Sequence, residues 1–443
     1  MDLVSLLGIF AGLILLIALA YKGHSIVWVA PACAMVVAIL GGLSLLDAYM
    51  LDYMKGTADY VMSWFPAFFL GAVYGKILDM TGAARSLANK LVSLIGSRFA
   101  VAAVVIPCLL MTYGGISLFV VVFVIYPMGY AIYREADLPR TLLPGAIATG
   151  AFGITMTAIP GTPQIQNIIP TEHYPTDAMA APLMSIVATI LIGLPAYLYL
   201  EMRAKKARAS GQHFVEDPKF VEVAHNTNLP GWHWLSGLVP LIVVIVVMNF
   251  VPKWFELEWT PNQAIVVALV CGIVVAILMN IGQIKTILPA ISNGANGSLT
   301  AIMNTACAVG FGSVVKVVPG FKVLQEAMLK MPGSILFSEA VAVNMLAGAT
   351  GSASGGMSIA LAALAPQYLE RAQEIGMNPE YLHRIASLSS GGLDTLPHNG
   401  AVLTLLAVSN CTHKESYGDV CITTCIIPVV ASLVLALVWG LFI

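Results

Sequence analysis

Four stretches of this sequence set glycine, proline and short hydroxyl or amide side chains inside otherwise apolar chain, a combination suited to recognising a small anion. The first is Thr112-Tyr113-Gly114-Gly115-Ile116-Ser117. The second runs from Thr157 to Asn167, TAIPGTPQIQN. The third, Thr350 to Ser358, reads TGSASGGMS, and the fourth, Ser389 to Gly400, reads SSGGLDTLPHNG. A helix that begins in mid-membrane presents unpaired backbone N–H groups and the positive end of its dipole. Glycine lets a ligand approach that backbone, and neutral hydroxyls and amides orient a carboxylate without a buried countercharge. The candidate binding residues are therefore Thr112, Gly114, Gly115 and Ser117; Thr157, Gly161, Thr162, Gln164 and Asn167; Ser352, Ser354, Gly355, Gly356 and Ser358; and Thr395 and Asn399. Asp394 and His398 stand apart as candidates for proton coupling or substrate contact, the alternative being a hydrogen-bonded structural pair that holds the unwound loop. A charge at the bilayer centre costs at least about 2.5–3.5 kcal/mol, which makes such a residue functional by default. Four residues apart, the two would face each other on a regular helix, although Pro397 disturbs that geometry.

Small residues also permit close helix packing. One Gly/Ser segment would say no more than that, and the lone Gly71-Ala72-Val73-Tyr74-Gly75 is read that way. Four segments paired along the chain, two of them carrying Pro163 and Pro397, favour irregular backbone lining a cavity, the only place lipid tolerates it.

The elements that must hold these segments are membrane spans. Of 443 residues, 58% are hydrophobic and 10% charged, against about 25% charged in an ordinary soluble domain. Apolar runs of roughly the 20 residues a bilayer requires recur. They are Leu3–Tyr21, Ser25–Leu43, Ala58–Met80, Ser117–Tyr133, Thr141–Ala158, Ala178–Glu201, Trp234–Val251, Asn262–Ile281, Ile287–Val318 and Tyr417–Ile443. Ala18-Leu19-Ala20 has the look of a signal-cleavage site, but no basic segment precedes it, so the first run is read as a retained span.

One long polar stretch, Arg203–Pro230, divides the chain. Landmarks on its two sides recur in order about 240 residues apart: Gly114-Gly115-Ile116-Ser117 with Gly355-Gly356-Met357-Ser358, and Pro139 with Pro379. Each half then reads as three spans, an amphipathic segment (Ala83–Gly96, Phe321–Met331), two short apolar segments joined at a Gly/Ser point, a broken span and a closing span. If the paired short segments form a re-entrant hairpin, each half crosses five times, and an odd count inverts the second half. The expected fold is an all-α polytopic membrane protein of two inverted-topology repeats. Residues 1–202 form the first (scaffold spans 1–97, hairpin and broken span 98–202), 203–230 a cytoplasmic linker, and 231–443 the second (scaffold spans 231–331, hairpin and broken span 332–443). Lys22, Arg85, Lys90, Arg98, Arg134, Arg140 and the basic start of the linker collect on one side, which places that side in the cytoplasm and both termini outside. Lys322, Lys330, Arg371 and Arg384 fit less well, since they would face the periplasm.

At the four segments the chain resembles the gluconate permease (GntP) family. TYGGISLFVVVFVIYP, TMTAIPGTPQIQNIIPT and GGLDTLPHNGAVLTLLA carry the likeness, which extends along nearly the whole chain. Within that family it looks most like permeases of 3-hydroxybutyrate and similar short hydroxy acids. The resemblance implies a symporter of the larger ion-transporter superfamily, in the bacterial inner membrane. Its cargo would be a small monocarboxylate such as 3-hydroxybutyrate or gluconate, taken up with protons. Sodium coupling is the alternative. A homodimer with scaffold and elevator-type transport domains is likewise what the resemblance implies.

Other classes fit less well. Ser354-Gly355 lacks the glycine two residues before the serine of an intramembrane serine protease, and Asp394 has no second motif aspartate, so no enzyme is expected. Neither a metal nor a cofactor is expected, because the seven cysteines show no CxxC pair or Cys/His cluster. A net charge of −2 without a basic stripe argues against nucleic acid. The expected partners are membrane lipid and a small organic anion.

Overall fold

Leucine, valine, isoleucine and alanine runs at membrane depth must satisfy their backbone internally, which only a helix or a closed barrel can do. The computed structural model describes residues 2–22, 24–116, 118–217, 230–329, 333–397 and 399–441, and helix is the only regular structure among them. The first half contributes α1 (Asp2–Tyr21), α2 (Ile26–Leu40), α3 (Leu45–Met80, with a π turn at Ala48–Tyr53), α4 (Ala83–Ile95), α5 (Ala100–Tyr113), α6 (Leu118–Glu135), α7 (Leu143–Ala148, continued by a π turn over Thr149–Ile154) and α8 (Pro182–Ala209). After the linker come α9 (Leu235–Asn249), α10 (Pro261–Met279), α11 (Ile281–Val317), α12 (Gly320–Leu329), α13 (Ile335–Thr350), α14 (Ala353–Glu374), α15 (Glu380–Ser390), α16 (Gly400–Val408) and α17 (His413–Gly440). Among these, α3, α8, α10, α11 and α17 are long and apolar enough to cross a bilayer.

Boundaries follow local chemistry. Ser25, Ser334 and Ser352 cap α2, α13 and α14, and Thr260 with Gln263 forms a capping box before α10. Gly351, at φ +61°, makes the left-handed turn between α13 and α14. The apolar run Thr141–Ala158, expected as a span, is helical only to Ile154, because its π turn runs into the unwound chain before Pro160 and Pro163.

One face of α8 carries Leu183, Ile186, Ile190, Leu194 and Leu198, all more than half exposed, while Ser185, Ala188, Ile192 and Ala196 on the other face are buried. An apolar face left open beside a packed small-residue face is what lipid outside and helices inside require. The amphipathic helices each lie on the first helix of the opposite half, α4 on α9 and α12 on α1. There Gly320 N–H donates to Ser5 Oγ (2.9 Å).

The halves join most extensively where α3 crosses α11. Glycine sets that seam. A Cβ on Gly294 would lie 2.6 Å from Val73 Cα, and one on Gly310 would lie 2.8 Å from the Tyr53 carbonyl. Gly297, one turn from Gly294, has open space around it. Gly294→Ala should therefore lower the melting temperature in detergent, by an overpacking cost of about 1–3 kcal/mol. Gly297→Ala should leave it unchanged or raise it slightly. Equal melting temperatures for the two variants would contradict so close a seam.

The described part of the linker, up to Asp217, docks on α6. His213 Nδ1 pairs with Asp137 Oδ2 (2.7 Å), Phe214 N–H donates to Asp137 Oδ1 (3.0 Å), and the Phe214 ring stands edge-on to Tyr130 (4.9 Å). Asp217 N–H donates to Tyr130 Oη (2.8 Å), and its carboxylate faces Arg140 (3.8 Å). The His213 ring, and after it the Phe214 N–H, hold the Asp137 carboxyl below the ordinary aspartate range. A depressed pKa favours the docked state above the unfolded value and loses that contribution as pH falls through the depressed one. Hydrogen exchange at 212–217 should accordingly be slow at neutral pH and speed up below about pH 4, the ordinary aspartate value. Asp137→Asn should remove that acid step.

Candidate functional site

In the first half, the tip between α5 and α6 and the unwound chain after α7 fold onto each other. Gln164 donates from Nε2 to the Thr112 carbonyl (2.7 Å) and, more weakly, to that of Ile116 (3.5 Å). Tyr113 Oη donates to the Pro160 carbonyl (3.1 Å), and Gly115, at φ +91°, lies against the Pro163 ring. Asn167 donates from Nδ2 to the carbonyls of Thr162 and Ala178, both 2.9 Å, which closes the unwound segment into a loop.

The second half is built the same way. Helix α15 ends at Ser390 before Gly391-Gly392, and Leu393–Thr395 forms one 3-10 turn. Asn399 then caps α16, accepting from Ala401 N–H (2.7 Å) and Val402 N–H (3.0 Å), while its Nδ2 donates to Gly351 at the tip of the α13–α14 hairpin (3.0 Å). Gln164 and Asn399 thus do the same work: each is an N-cap residue whose amide ties a broken segment to its own half's hairpin.

The two breaks meet at Thr157. Its carbonyl accepts from Ser387 Oγ (3.0 Å), and a Cβ on Gly391 would lie 2.6 Å from its methyl group, so only glycine fits there. Around this junction Thr112 Oγ1, Thr157 Oγ1, Thr162 Oγ1, Ser389 Oγ and Asp394 Oδ1 are buried with no hydrogen-bond partner among the described residues. An unpaired buried polar atom costs about 1–3 kcal/mol. Such atoms occur elsewhere among the described residues too, on Tyr53, Tyr60, Tyr74 and Ser358 for example, so these five are ligand-contact candidates by their place on the breaks and the first tip rather than by number.

Other candidates have different surroundings. Thr395 exchanges hydrogen bonds with Thr424, donating to its carbonyl (3.0 Å) and accepting from its hydroxyl (3.1 Å). Gly114 abuts Leu241, Gly161 abuts Met179, and Gly356 lies against the Ala347 backbone. Ser352 accepts from Gly355 N–H (3.2 Å), while Ser354 and Ser358 lie buried in the first turns of α14. Asp394 stands in the 3-10 turn rather than on a helix; Ser117 and His398 lie outside the described residues. Beside the first-half break a cavity of about 230 Å³ is lined by Ile168, Ala178, Asn249 and Trp259, and by Asp177 and Lys253, which pair at 3.0 Å.

Two buried charges went unnoticed in the sequence. Arg384, expected as a loop cation facing outward, is fully buried in α15 because its guanidinium finds oxygens across the junction. Glu339 is fully buried in α13, where one oxygen accepts from Tyr174 Oη and the other has no partner among the described residues. The available signal was a lone acid within the apolar run ILFSEAVAVNMLAGAT.

The Na+/H+ antiporter family description matches residues 166–441, a span that includes the second-half hairpin, the whole of the second break and only the end of the first. The transporter YxjC of Bacillus subtilis (strain 168) is 40% identical over 440 residues, covering 92% of this chain and 93% of that one. The chain belongs to the Na+/H+ antiporter family. Its fold is shared with the crystal structure of the YdaH transporter of Alcanivorax borkumensis, at a TM-score of 0.58 and 18% identity over 90% of each chain. These matches correct the resemblance to gluconate permeases. The Gly/Pro/amide pattern that suggested it serves a broken-helix architecture, which is not confined to one family. The chain is a multi-pass transporter of the bacterial inner membrane.

The amide ties can be tested without disturbing caps or shape. Gln164→Glu and Asn399→Asp each replace a donor by an acceptor facing a carbonyl, and Asn399→Asp keeps the helix cap. Both should speed hydrogen exchange at their hairpin tips (residues 112–116 and 350–352) while leaving the α3–α11 seam unaffected. Unchanged exchange at both tips would remove the tie from the account.

Proposed function

We propose that the chain is a cation-coupled secondary transporter that carries a small organic anion through the junction of its two breaks, with Asp394 holding the coupling cation. The observation that carries this reading is Asp394 itself: a buried carboxyl with one oxygen unpartnered, in the turn that follows the Gly391 contact with Thr157. A carboxylate so placed takes a proton or a small cation rather than remain bare. The unpartnered hydroxyls of Thr157, Thr162 and Ser389, with the N-termini of α14 and α16, offer neutral donors and positive dipole ends to an anion. The recurring order of elements, and the matching ties of Gln164 and Asn399, support reading the halves as inverted repeats. In that reading α1–α3 and α9–α11 are the scaffold, and the hairpins and broken segments move as the transport domain. A second reading, Na+/H+ exchange without organic cargo, is favoured by the family match and needs only Asp394.

Flux into proteoliposomes separates the two. On the first reading, an outside-acid pH gradient drives accumulation of one of a panel of labelled carboxylates. One proton with one monoanion moves no net charge, so membrane potential alone should not. Asp394→Asn should lose at least tenfold in gradient-driven accumulation. Sodium-driven proton movement in liposomes lacking any organic anion would establish the second reading instead. Normal accumulation by Asp394→Asn would move the coupling site elsewhere.

A further inference from the structure

Arg384 is fully buried, yet no carboxylate bonds to it among the described residues. Its guanidinium faces four neutral oxygens, all from the first-half segment between α7 and α8, three on backbone carbonyls and one on the Asn167 side chain of its single helical turn. Nε and Nη2 donate to the Ala180 carbonyl (3.2 and 2.9 Å), and Nη1 to Asn167 Oδ1 (2.9 Å). Longer contacts at 3.5 Å run from Nη1 to the Thr157 carbonyl and from Nη2 to that of Ala178. A guanidinium has five N–H donors, and these five contacts engage them all, so nothing remains for a ligand. Convergent carbonyl and amide oxygens on unwound backbone are also what coordinates a transported cation in carriers built on broken helices.

We propose that Arg384 is a positioning residue acting as a tethered cation: it fills the oxygen cage of the first-half break from the opposite half and holds that break against α15. The first-half break then has no room for a transported cation. Coupling is left to the second half, where Asp394 keeps an unpartnered oxygen. This last step rests on the proposed coupling role of Asp394, but the cage itself does not.

The cage is tested by hydrogen exchange on the full chain in detergent, which needs neither cargo nor gradient. Arg384→Ala should lose protection across residues 157–180, while the α3–α11 seam keeps its own. Methylguanidinium should restore the lost protection saturably, and choline at equal concentration should not. Arg384→Lys, whose ammonium reaches fewer of the four oxygens, should be intermediate and serves if the alanine variant does not fold. The proposal is overturned if both variants keep wild-type protection, if choline restores it as well as methylguanidinium, or if neither does.

Discussion

Everything near the centre of this protein depends on one constraint: backbone that leaves the helix inside a membrane must find its hydrogen bonds in protein. The chain breaks twice, after α7 and after α15, and both breaks are closed by a side-chain amide from the residue that opens the next helical turn. Gln164 bonds back to the α5–α6 tip and Asn399 to the α13–α14 tip. Remove that donor and a carbonyl at the tip is left facing apolar surroundings. Hairpin and break are therefore one unit in each half, and any movement of one carries the other.

With the backbone satisfied by amides, hydroxyls are released for other work. The hydroxyls at the junction divide into two kinds. Ser387 and Thr395 are committed to carbonyl oxygens and hold elements together. Thr112, Thr157, Thr162 and Ser389 remain uncommitted. The asymmetry between halves is one of charge. The first-half break meets a buried arginine across the junction, and the second contains a buried aspartate. Similar backbone architecture thus serves two electrostatically opposite roles.

The architecture was legible because its signals are local. Spans announce themselves by length, and the breaks by Pro160, Pro163, Gly391 and Gly392, whose backbone demands do not depend on distant contacts. The first amphipathic segment emerged as α4 within one residue of its expected ends, and the second begins one residue early as α12, its expected end at Met331 lying outside the described residues. Arg384 was misread for the opposite reason. Its burial is decided by the carbonyls of Ala178 and Ala180, some 200 residues away, and nothing in its own neighbourhood says that they will be there. Family membership was misread because proline, glycine and amide placement follows from breaking a helix in lipid, whatever is carried. Charge counting along loops misled in the same place, since it assumes that a cation between apolar runs must be outside.

The α3–α11 seam also governs how the molecule is made. Helix α3 is complete at Met80, but the surface around Val73 that meets Gly294 stays uncovered until α11 has been synthesised, more than two hundred residues later. At translation rates of about 5–20 residues per second, that leaves the first half in the bilayer for roughly 10–50 s with its largest contact surface facing lipid or an insertion chaperone. Nascent chains stalled between α3 and α11 would be the species most exposed to membrane quality control.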